Sequence, residues 1–123
     1  MEIVGLGSEV VECVRVRLLV DRHGEAFLDR VFSSREISDC QSRTHSTEHF
    51  AARWAAKEAV GKCLGVARAW ADVEVRNDVD GRPRVLLHGA AKDRADALAV
   101  SEVLLTMAHC RAYATATALA VRS

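Results

Sequence analysis

The longest helical run in the chain lies between Ser46 and Gly65, and its composition leaves little room for a solvated face. Ser46 or Thr47 can cap the start of this helix, and Gly65 is a suitable residue just beyond its end. Its apolar positions wrap well over half of the cylinder: Phe50, Ala51, Ala52, Ala55, Ala56, Ala59, Val60, Cys63 and Leu64. A helix with so wide an apolar arc is mostly buried. The sequence therefore predicts a core helix around which the other elements pack.

The segments before and after this helix predict an antiparallel sheet. EIVGLGSEVVECV predicts a first strand, in which the glycines allow a bend or a close approach. Residues 73–87 predict a hairpin that turns at Asp80-Gly81, with Pro83 at an edge or a strand start. A short amphipathic helix and two closing strands, EVLLTMAHC and RAYATATALAV, follow. The fold class is therefore α+β, with an antiparallel sheet packed on a long core helix.

Residues 14–40, between the first strand and the core helix, predict shorter helices. Gly24 interrupts the helical pattern. Ser33 or Ser34 precedes Glu36 at the spacing of a capping box, which predicts a helix start there.

Composition narrows the class of protein. The chain has 123 residues, half of them hydrophobic, and can bury a core as a single domain spanning 1–123. Basic and acidic residues balance at 17 each, so overall charge does not favour a nucleic acid or an anionic membrane as partner. The 4 cysteines form no Cys-x-x-Cys pair, and no apolar run reaches the ~18 residues of a membrane span. We expect a cytoplasmic protein with neither a zinc site nor a redox dithiol.

The core helix also carries residues that suggest a site. Glu58 and Lys62 lie one turn apart, which by itself is best explained by an exposed ion pair of ~0.3–0.5 kcal/mol. Gly61 costs ~1 kcal/mol relative to alanine within a helix, so a ligand, another chain or tight packing is expected to come close there. Glu9, in the first strand, could join Glu58 in binding a divalent cation.

A basic group lies near the start of the core helix. Its members are Arg43, His45, His49, Arg53 and Lys57. Backbone N–H groups at a helix N-terminus favour anions, so the group is equally consistent with an anion site and with a solvated helix end. His109 ends a predicted strand, where a lone histidine is more often structural than a ligand contact.

Taken in order, these segments resemble the holo-acyl-carrier-protein synthase family of 4′-phosphopantetheinyl transferases. The family's opening strand, G-x-G-x-D-[IVL]-x-E, is similar to GLGSEVVE at residues 5–12. Its most specific block, [RK]-[FW]-[AS]-x-K-E-[AS]-x-x-K, is matched at every defined position by RWAAKEAVGK at residues 53–62. Its D-x-x-G-R-P hairpin resembles DVDGRP at residues 78–83, and its closing [VL]-S-[IL]-[ST]-H resembles LTMAH at residues 105–109. The resemblance covers essentially the whole chain.

The resemblance implies a homotrimer with an active site at each subunit interface. Such enzymes move the 4′-phosphopantetheine arm of coenzyme A onto a serine of an apo acyl carrier protein and release adenosine 3′,5′-bisphosphate. By the same resemblance, Glu9 and Glu58 bind Mg²⁺ and Lys62 stabilises charge on the pyrophosphate. The residues implied to contact coenzyme A are Lys62, Gly65, Arg53, His45, His49, Thr106 and His109, with the last two reaching it from a neighbouring subunit.

Two positions depart from the family pattern. Glu9 stands where the family has aspartate, and the extra methylene displaces the carboxylate. Either the backbone retreats, or cation binding becomes water-mediated or shifts toward Mn²⁺, or the rate falls. Ala108 replaces a hydroxyl residue before His109.

Two functions are therefore open. The first is an active Mg²⁺-dependent synthase, with a specialised polyketide or other secondary-metabolic carrier protein as its acceptor. The second is a catalytically weakened trimer that binds coenzyme A or carrier protein without efficient transfer. The intact block at residues 53–62 favours the first, and Glu9 and Ala108 favour the second.

Two expectations concern charge. Arg15, Arg17 and Arg22 could dock the acidic helix of a carrier protein, with a solvated helix face as the equal alternative. If His45 and His49 bind phosphate, affinity should weaken above about pH 7, because imidazole loses its charge there.

Overall fold

The predicted core helix is the centre of the fold in a computed structural model that describes residues 1–123. The elements are β1 (Glu2–Glu12), α1 (Cys13–His23), α2 (Glu25–Val31), α3 (Ser34–Gln41), α4 (Ser46–Leu64), a 3₁₀ turn (Trp70–Asp72), β2 (Val73–Asn77), β3 (Pro83–Leu87), α5 (Gly89–Ala97), β4 (Glu102–His109) and β5 (Tyr113–Arg122). One antiparallel sheet has the strand order β1-β5-β4, and β2 and β3 form a separate two-stranded sheet. The α+β prediction is confirmed.

Helix α4 is buried along most of its length, as its apolar arc predicts. Of its 19 residues, 13 are buried. It packs on the β1-β5-β4 sheet along one side and on α1, α3 and the β2-β3 hairpin elsewhere. Gly65 ends it in the left-handed conformation with φ of 74°, as expected. The predicted cap is wrong, because His45 occupies the N-cap position and makes no side-chain capping bond.

Small residues allow the sheet to lie unusually close to α4. A Cβ at Gly7 would lie 2.0 Å from the Ala59 carbonyl oxygen, and one at Gly5 would lie 2.0 Å from that of Cys63. Facing the same helix, β5 alternates alanines that are at most 3% exposed: Ala114, Ala116, Ala118 and Ala120. The glycines of the first strand therefore serve close approach of the helix, one of the two predicted reasons.

The remaining connections follow the predicted signals. Ser33 and Glu36 form the expected capping box, in which Glu36 N–H donates to Ser33 Oγ at 3.1 Å and Ser33 N–H donates to Glu36 Oε1 at 2.8 Å. Gly24 separates α1 from α2, and Pro83 begins β3. Among the helices, none combines the length and the hydropathy required to span a bilayer.

The face of the sheet that points away from α4 is uncovered. Cross-strand pairing gives it an apolar row of Leu6, Leu119 and Leu104, and a hydroxyl row of Ser8, Thr117 and Thr106. Leu6 is 66% exposed and Leu104 is 41% exposed. The sheet therefore presents apolar surface to solvent in the isolated chain.

Candidate active site

Glu9, Glu58 and Lys62 line one cavity beside the C-terminal half of α4, with a volume of about 660 Å³. Pairing of β1 with β5 places Glu9 opposite the buried Ala116, on the face that α4 covers. Helix α4 supplies Glu58 and Lys62 one turn apart. We call this the acidic cavity; Gly65 and Trp70 also line it. Glu9 thus meets Glu58, which lies 49 positions later in the sequence, and Lys62 one turn beyond it.

Lys62 pairs with Glu9 and not with Glu58. The Lys62 Nζ lies 3.2 Å from Glu9 Oε2 and donates to the Ser8 carbonyl oxygen at 3.1 Å. The Lys62 side chain is 54% exposed and that of Glu9 is 28% exposed. The helical i,i+4 ion pair that the spacing suggested is therefore wrong, because β1 brings a second acid within reach of the lysine.

Glu58 is held by a residue that the sequence analysis missed. Trp70 Nε1 donates to Glu58 Oε1 at 2.9 Å, from the 3₁₀ turn that follows α4. A tryptophan shortly after the core helix is a weak signal, since its indole could equally have packed into the core. The contact depends on where the turn lies in space.

Gly61 has an explanation within the chain. Its carbonyl accepts the Val66 N–H at 2.8 Å, and a Cβ at Gly61 would lie 2.7 Å from the Val66 carbonyl oxygen. Of the alternatives that the sequence left open, tight packing at the helix end accounts for this glycine.

The acidic cavity has the donor set of a Mg²⁺ site that needs substrate to be complete. Mg²⁺ takes oxygen ligands, keeps several waters and is usually held by one or two carboxylates together with substrate phosphates. Glu9 and Glu58 supply two carboxylates. No cluster of three or more His, Cys, Asp or Glu side chains is placed to hold a metal ion. The two acids thus fit a cation whose remaining ligands are water and phosphate oxygens.

A second group of predicted site residues lies at the other end of α4. His109 Nδ1 is 2.9 Å from Glu48 Oε1, and the His49 and His109 rings meet edge to face with centroids 4.9 Å apart. Burial, with the neighbouring His109 ring and the Arg43 guanidinium, lowers the pKa of His49 below its ordinary value. We call Glu48, His49 and His109 the histidine group.

Within the single chain, the acidic cavity and the histidine group lie apart. Glu58 follows Glu48 by ten residues, which corresponds to ~15 Å along the helix axis. His45 lines a separate cavity of about 560 Å³. Thr106 lies on the uncovered face of the sheet, opposite Thr117.

Arg53 and Lys57 do not belong to an exposed basic group, so that expectation is wrong for both. The Arg53 side chain is 4% exposed and pairs with Asp39. Lys57 is 1% exposed, its Nζ lies 2.7 Å from Glu36 Oε1, and burial lowers its pKa in spite of that carboxylate. The signal in the sequence for these two contacts was a pair of acids three residues apart on α3, Glu36 and Asp39. The contact of Arg53 with coenzyme A stays a prediction.

Comparison with known proteins identifies the family of the chain. A family model described as the 4′-phosphopantetheinyl transferase superfamily matches residues 5–118. Holo-[acyl-carrier-protein] synthases of Rhodopirellula baltica and Moorella thermoacetica are each 40% identical, over 94% and 92% of this chain and 95% and 90% of theirs. The solved holo-[acyl-carrier-protein] synthase of Neisseria meningitidis is similar with a TM-score of 0.88 at 25% identity, over 98% of this chain and 99% of that one. The chain therefore belongs to the 4′-phosphopantetheinyl transferase superfamily and, within it, is an enzyme of the holo-[acyl-carrier-protein] synthase family.

Proposed function

We propose that this chain transfers the 4′-phosphopantetheine group of coenzyme A to a serine of an apo acyl carrier protein, with Mg²⁺ as cofactor. The observation that carries the proposal is the meeting of Glu9, Glu58 and Lys62 in the acidic cavity. Two carboxylates and an exposed lysine suit a pyrophosphate that arrives with a divalent cation. A holo-(acyl-carrier-protein) synthase of Bacillus anthracis, with a TM-score of 0.80 at 27% identity over all of both chains, has been solved in complex with CoA (3′,5′-ADP), which supports coenzyme A as donor.

The reaction is attack of a serine oxygen on the phosphorus atom that carries the pantetheine arm. An O–P bond to the serine forms, the P–O bond to adenosine 3′,5′-bisphosphate breaks, and the serine proton is lost. Mg²⁺, when bound, neutralises charge on the pyrophosphate oxygens. The exposed Lys62 ammonium can turn from Glu9 to a pyrophosphate oxygen. A carboxylate of the acidic cavity, or a water held there, accepts the serine proton.

We further propose that a homotrimer completes the site. The histidine group lies ~15 Å along α4 from Glu58, so in this proposal it meets the coenzyme A bound at Glu58 from another subunit. Since the His49 and His109 rings touch, both are assigned to that neighbouring subunit, with Thr106 on the uncovered face nearby. The exposed leucine row supports burial of this face in an assembly. Sedimentation of a trimer is expected, and a monomer would contradict this assignment.

The carrier protein is proposed to dock on α1. Arg15, Arg17 and Arg22 are exposed on this helix, and Arg15 also lines the acidic cavity. Basic residues beside the site would steer an acidic partner. Charge reversal at Arg17 and Arg22 should slow association with the carrier protein while leaving coenzyme A affinity unchanged; unaltered carrier kinetics would contradict the docking surface.

The remaining assignments are part of the same proposal. Residues 1–123 form one transferase domain, supported by a single cluster of 27 buried core residues. The reaction takes place in the cytoplasm, and the acceptor is a specialised polyketide or secondary-metabolic carrier protein. Glu9 and Ala108, which depart from the family pattern, support that specialisation.

Intact-mass spectrometry of an apo acyl carrier protein tests the transfer. Incubation with this protein, coenzyme A and Mg²⁺ should add one phosphopantetheine mass. Glu58→Gln should lower the rate by about 10²–10³-fold, the effect typical of losing one electrostatic contact to developing charge. Glu25→Gln, which removes an exposed acid on α2, is the matched control and should leave the rate unchanged.

The Lys62 contact with Glu9 favours a second candidate, a trimer that binds coenzyme A or carrier protein without efficient transfer. In this chain the cation has to compete with the lysine for the Glu9 carboxylate. Transfer by Glu9→Asp but not by the native chain would assign the loss to this residue. Absence of transfer from both, across several carrier proteins, together with measurable binding of coenzyme A or carrier protein, would favour the binding function over the enzyme.

A further inference from the structure

We propose that Trp70 is a positioning residue that orients the Glu58 carboxylate toward a divalent cation in the acidic cavity. The inference rests on the proposed function, because it assigns Glu58 as a cation ligand. It adds a residue that lies outside the sequence blocks on which the family resemblance depends.

The Trp70 indole holds one Glu58 oxygen without cancelling its charge. Its Nε1 donates to Oε1 at 2.9 Å, while Oε2 has no hydrogen-bond or ion-pair partner within the chain. The nearby lysine, Lys62, pairs with Glu9 instead. An indole N–H is a neutral donor, so it holds the Glu58 carboxylate without bringing a positive charge to it. A lysine at the same place would have neutralised the carboxylate that the cation requires.

Trp70 can restrict Glu58 because Trp70 is itself held at its backbone and at its ring. Lys57 Nζ donates to the Trp70 carbonyl oxygen at 3.0 Å, and the Trp54 and Trp70 rings meet edge to face with centroids 6.2 Å apart. Lys57 is in turn paired with the buried Glu36. The two neighbouring residues Lys57 and Glu58 therefore bind the backbone and the side chain of the same tryptophan.

The buried pair extends this restraint to the hairpin. Glu36 Oε2 accepts the Val75 N–H at 2.8 Å, and Lys57 also donates to the Val73 carbonyl oxygen. The 3₁₀ turn and β2 are thus tied to α4 on the buried side of the helix. The position of the indole in the acidic cavity is therefore set by contacts inside the protein.

Orientation of Glu58 matters because Mg²⁺ requires nearly ideal octahedral geometry. Groups that hydrogen-bond a metal ligand and fix its orientation typically change metal affinity by about 10–100-fold when they are removed. Loss of the indole N–H should therefore weaken cation binding while leaving the chemistry at saturating cation largely intact. Removing a residue that acts only through packing would not weaken cation binding while sparing the rate at saturating cation.

The test is Trp70→Phe, which keeps an aromatic ring and removes the N–H. Binding of Mn²⁺, followed by electron paramagnetic resonance of the free ion in the presence of coenzyme A, should weaken about tenfold. The Mg²⁺ concentration for half-maximal transfer should rise by a similar factor, and the rate at saturating Mg²⁺ should change by less than about threefold. Unchanged Mn²⁺ affinity and Mg²⁺ dependence would overturn the proposal.

Trp54→Phe is the matched control. The same substitution is made in the same aromatic cluster, but the Trp54 Nε1 has no hydrogen-bond partner. Phenylalanine keeps an aromatic ring against Trp70, so Mn²⁺ affinity should fall by less than it does in Trp70→Phe. Equal weakening by both substitutions would mean that loss of packing explains the effect, and would overturn the role of the Trp70 N–H.

A spectroscopic measurement covers the case in which Trp70→Phe does not fold. The chain has 2 tryptophans, so Trp54→Phe leaves Trp70 as the sole indole. Addition of Mn²⁺ should quench its fluorescence, and adding Glu58→Gln should remove the quenching. Quenching that persists without the carboxylate would overturn the proposal. If the native chain neither binds Mn²⁺ nor performs transfer, the proposed function itself fails. If the native chain does both and Trp70→Phe changes neither, only the role of Trp70 fails.

Discussion

Two pairs of charged residues in the same short block of α4 serve different purposes. Arg53 and Lys57 are buried and paired with acids of α3, whereas Glu58 and Lys62 face the acidic cavity and are partly open to solvent. The first pair is engaged with acids inside the protein. In the proposed function, the second pair exchanges its partners for a cation and a phosphate. One sequence motif therefore combines residues that hold the helix in place with residues that line the acidic cavity.

The largest expected effect is on stability, at the buried side. Lys57→Met leaves the Glu36 carboxylate buried without its cation, and should lower the free energy of unfolding by about 3–5 kcal/mol. Urea unfolding at one fixed protein concentration measures this change, since assembly would make stability depend on concentration.

A second substitution sharpens that result. Adding Glu36→Leu to Lys57→Met removes the stranded charge and should restore most of the lost stability. If the double variant is no more stable than the single one, the hydrogen bonds of Glu36 to the α3 cap and to β2 carry the stability, and not the charge pair.

A smaller effect is expected at the open side. Glu9→Asp shortens the acid and should break its contact with Lys62, so the cation no longer competes with the lysine. An exposed ion pair contributes ~0.2–1 kcal/mol, so the Mg²⁺ concentration at half-maximal transfer should fall by about two- to fivefold. The free energy of unfolding should stay within about 1 kcal/mol of the native value. A higher Mg²⁺ requirement would show that the longer acid is the better ligand in this chain.

The smallest effect concerns the histidine group. The pKa of His49 lies below its ordinary value, so the folded, unliganded chain favours neutral imidazole and stability falls as pH drops below that value. A bound phosphate favours the cation, so coenzyme A affinity should increase by about two- to threefold as pH falls from about 8 to 5.5. Calorimetric titration of the native chain and of His49→Gln across this range measures the contribution. Affinity that is independent of pH would remove His49 from the binding site.

Local features of the sequence were sufficient for most of the elements. The wide apolar arc of residues 46–65 predicted the buried helix, and the spacing of Ser33 and Glu36 predicted the start of α3. Asp80-Gly81 and Pro83 predicted the hairpin. These predictions hold because helix periodicity, capping and turn chemistry depend on residues only a few positions apart.

The candidate site was predicted less completely. Glu9, Glu58 and Lys62 were identified as candidates from the residues themselves, their roles were implied by the resemblance, and the structure brings them into one cavity. The partners of Arg53 and Lys57 could not be predicted, because periodicity shows that a helix face is buried but not which acid lies opposite it. The same limit applied to Trp70, whose contact with Glu58 depends on the path of the chain after Gly65.

The sequence by itself determined the helix and strand order, the alternation of small residues along β5 and the set of acids, lysines and histidines available for chemistry. Tertiary structure alone decided which charges are buried as structural pairs and which line a cavity. It also brought Glu9 into the acidic cavity and His109 to Glu48. The physical reason is range: capping and periodicity act between near neighbours in the chain, whereas burial and pairing of a charge depend on every element that packs against it.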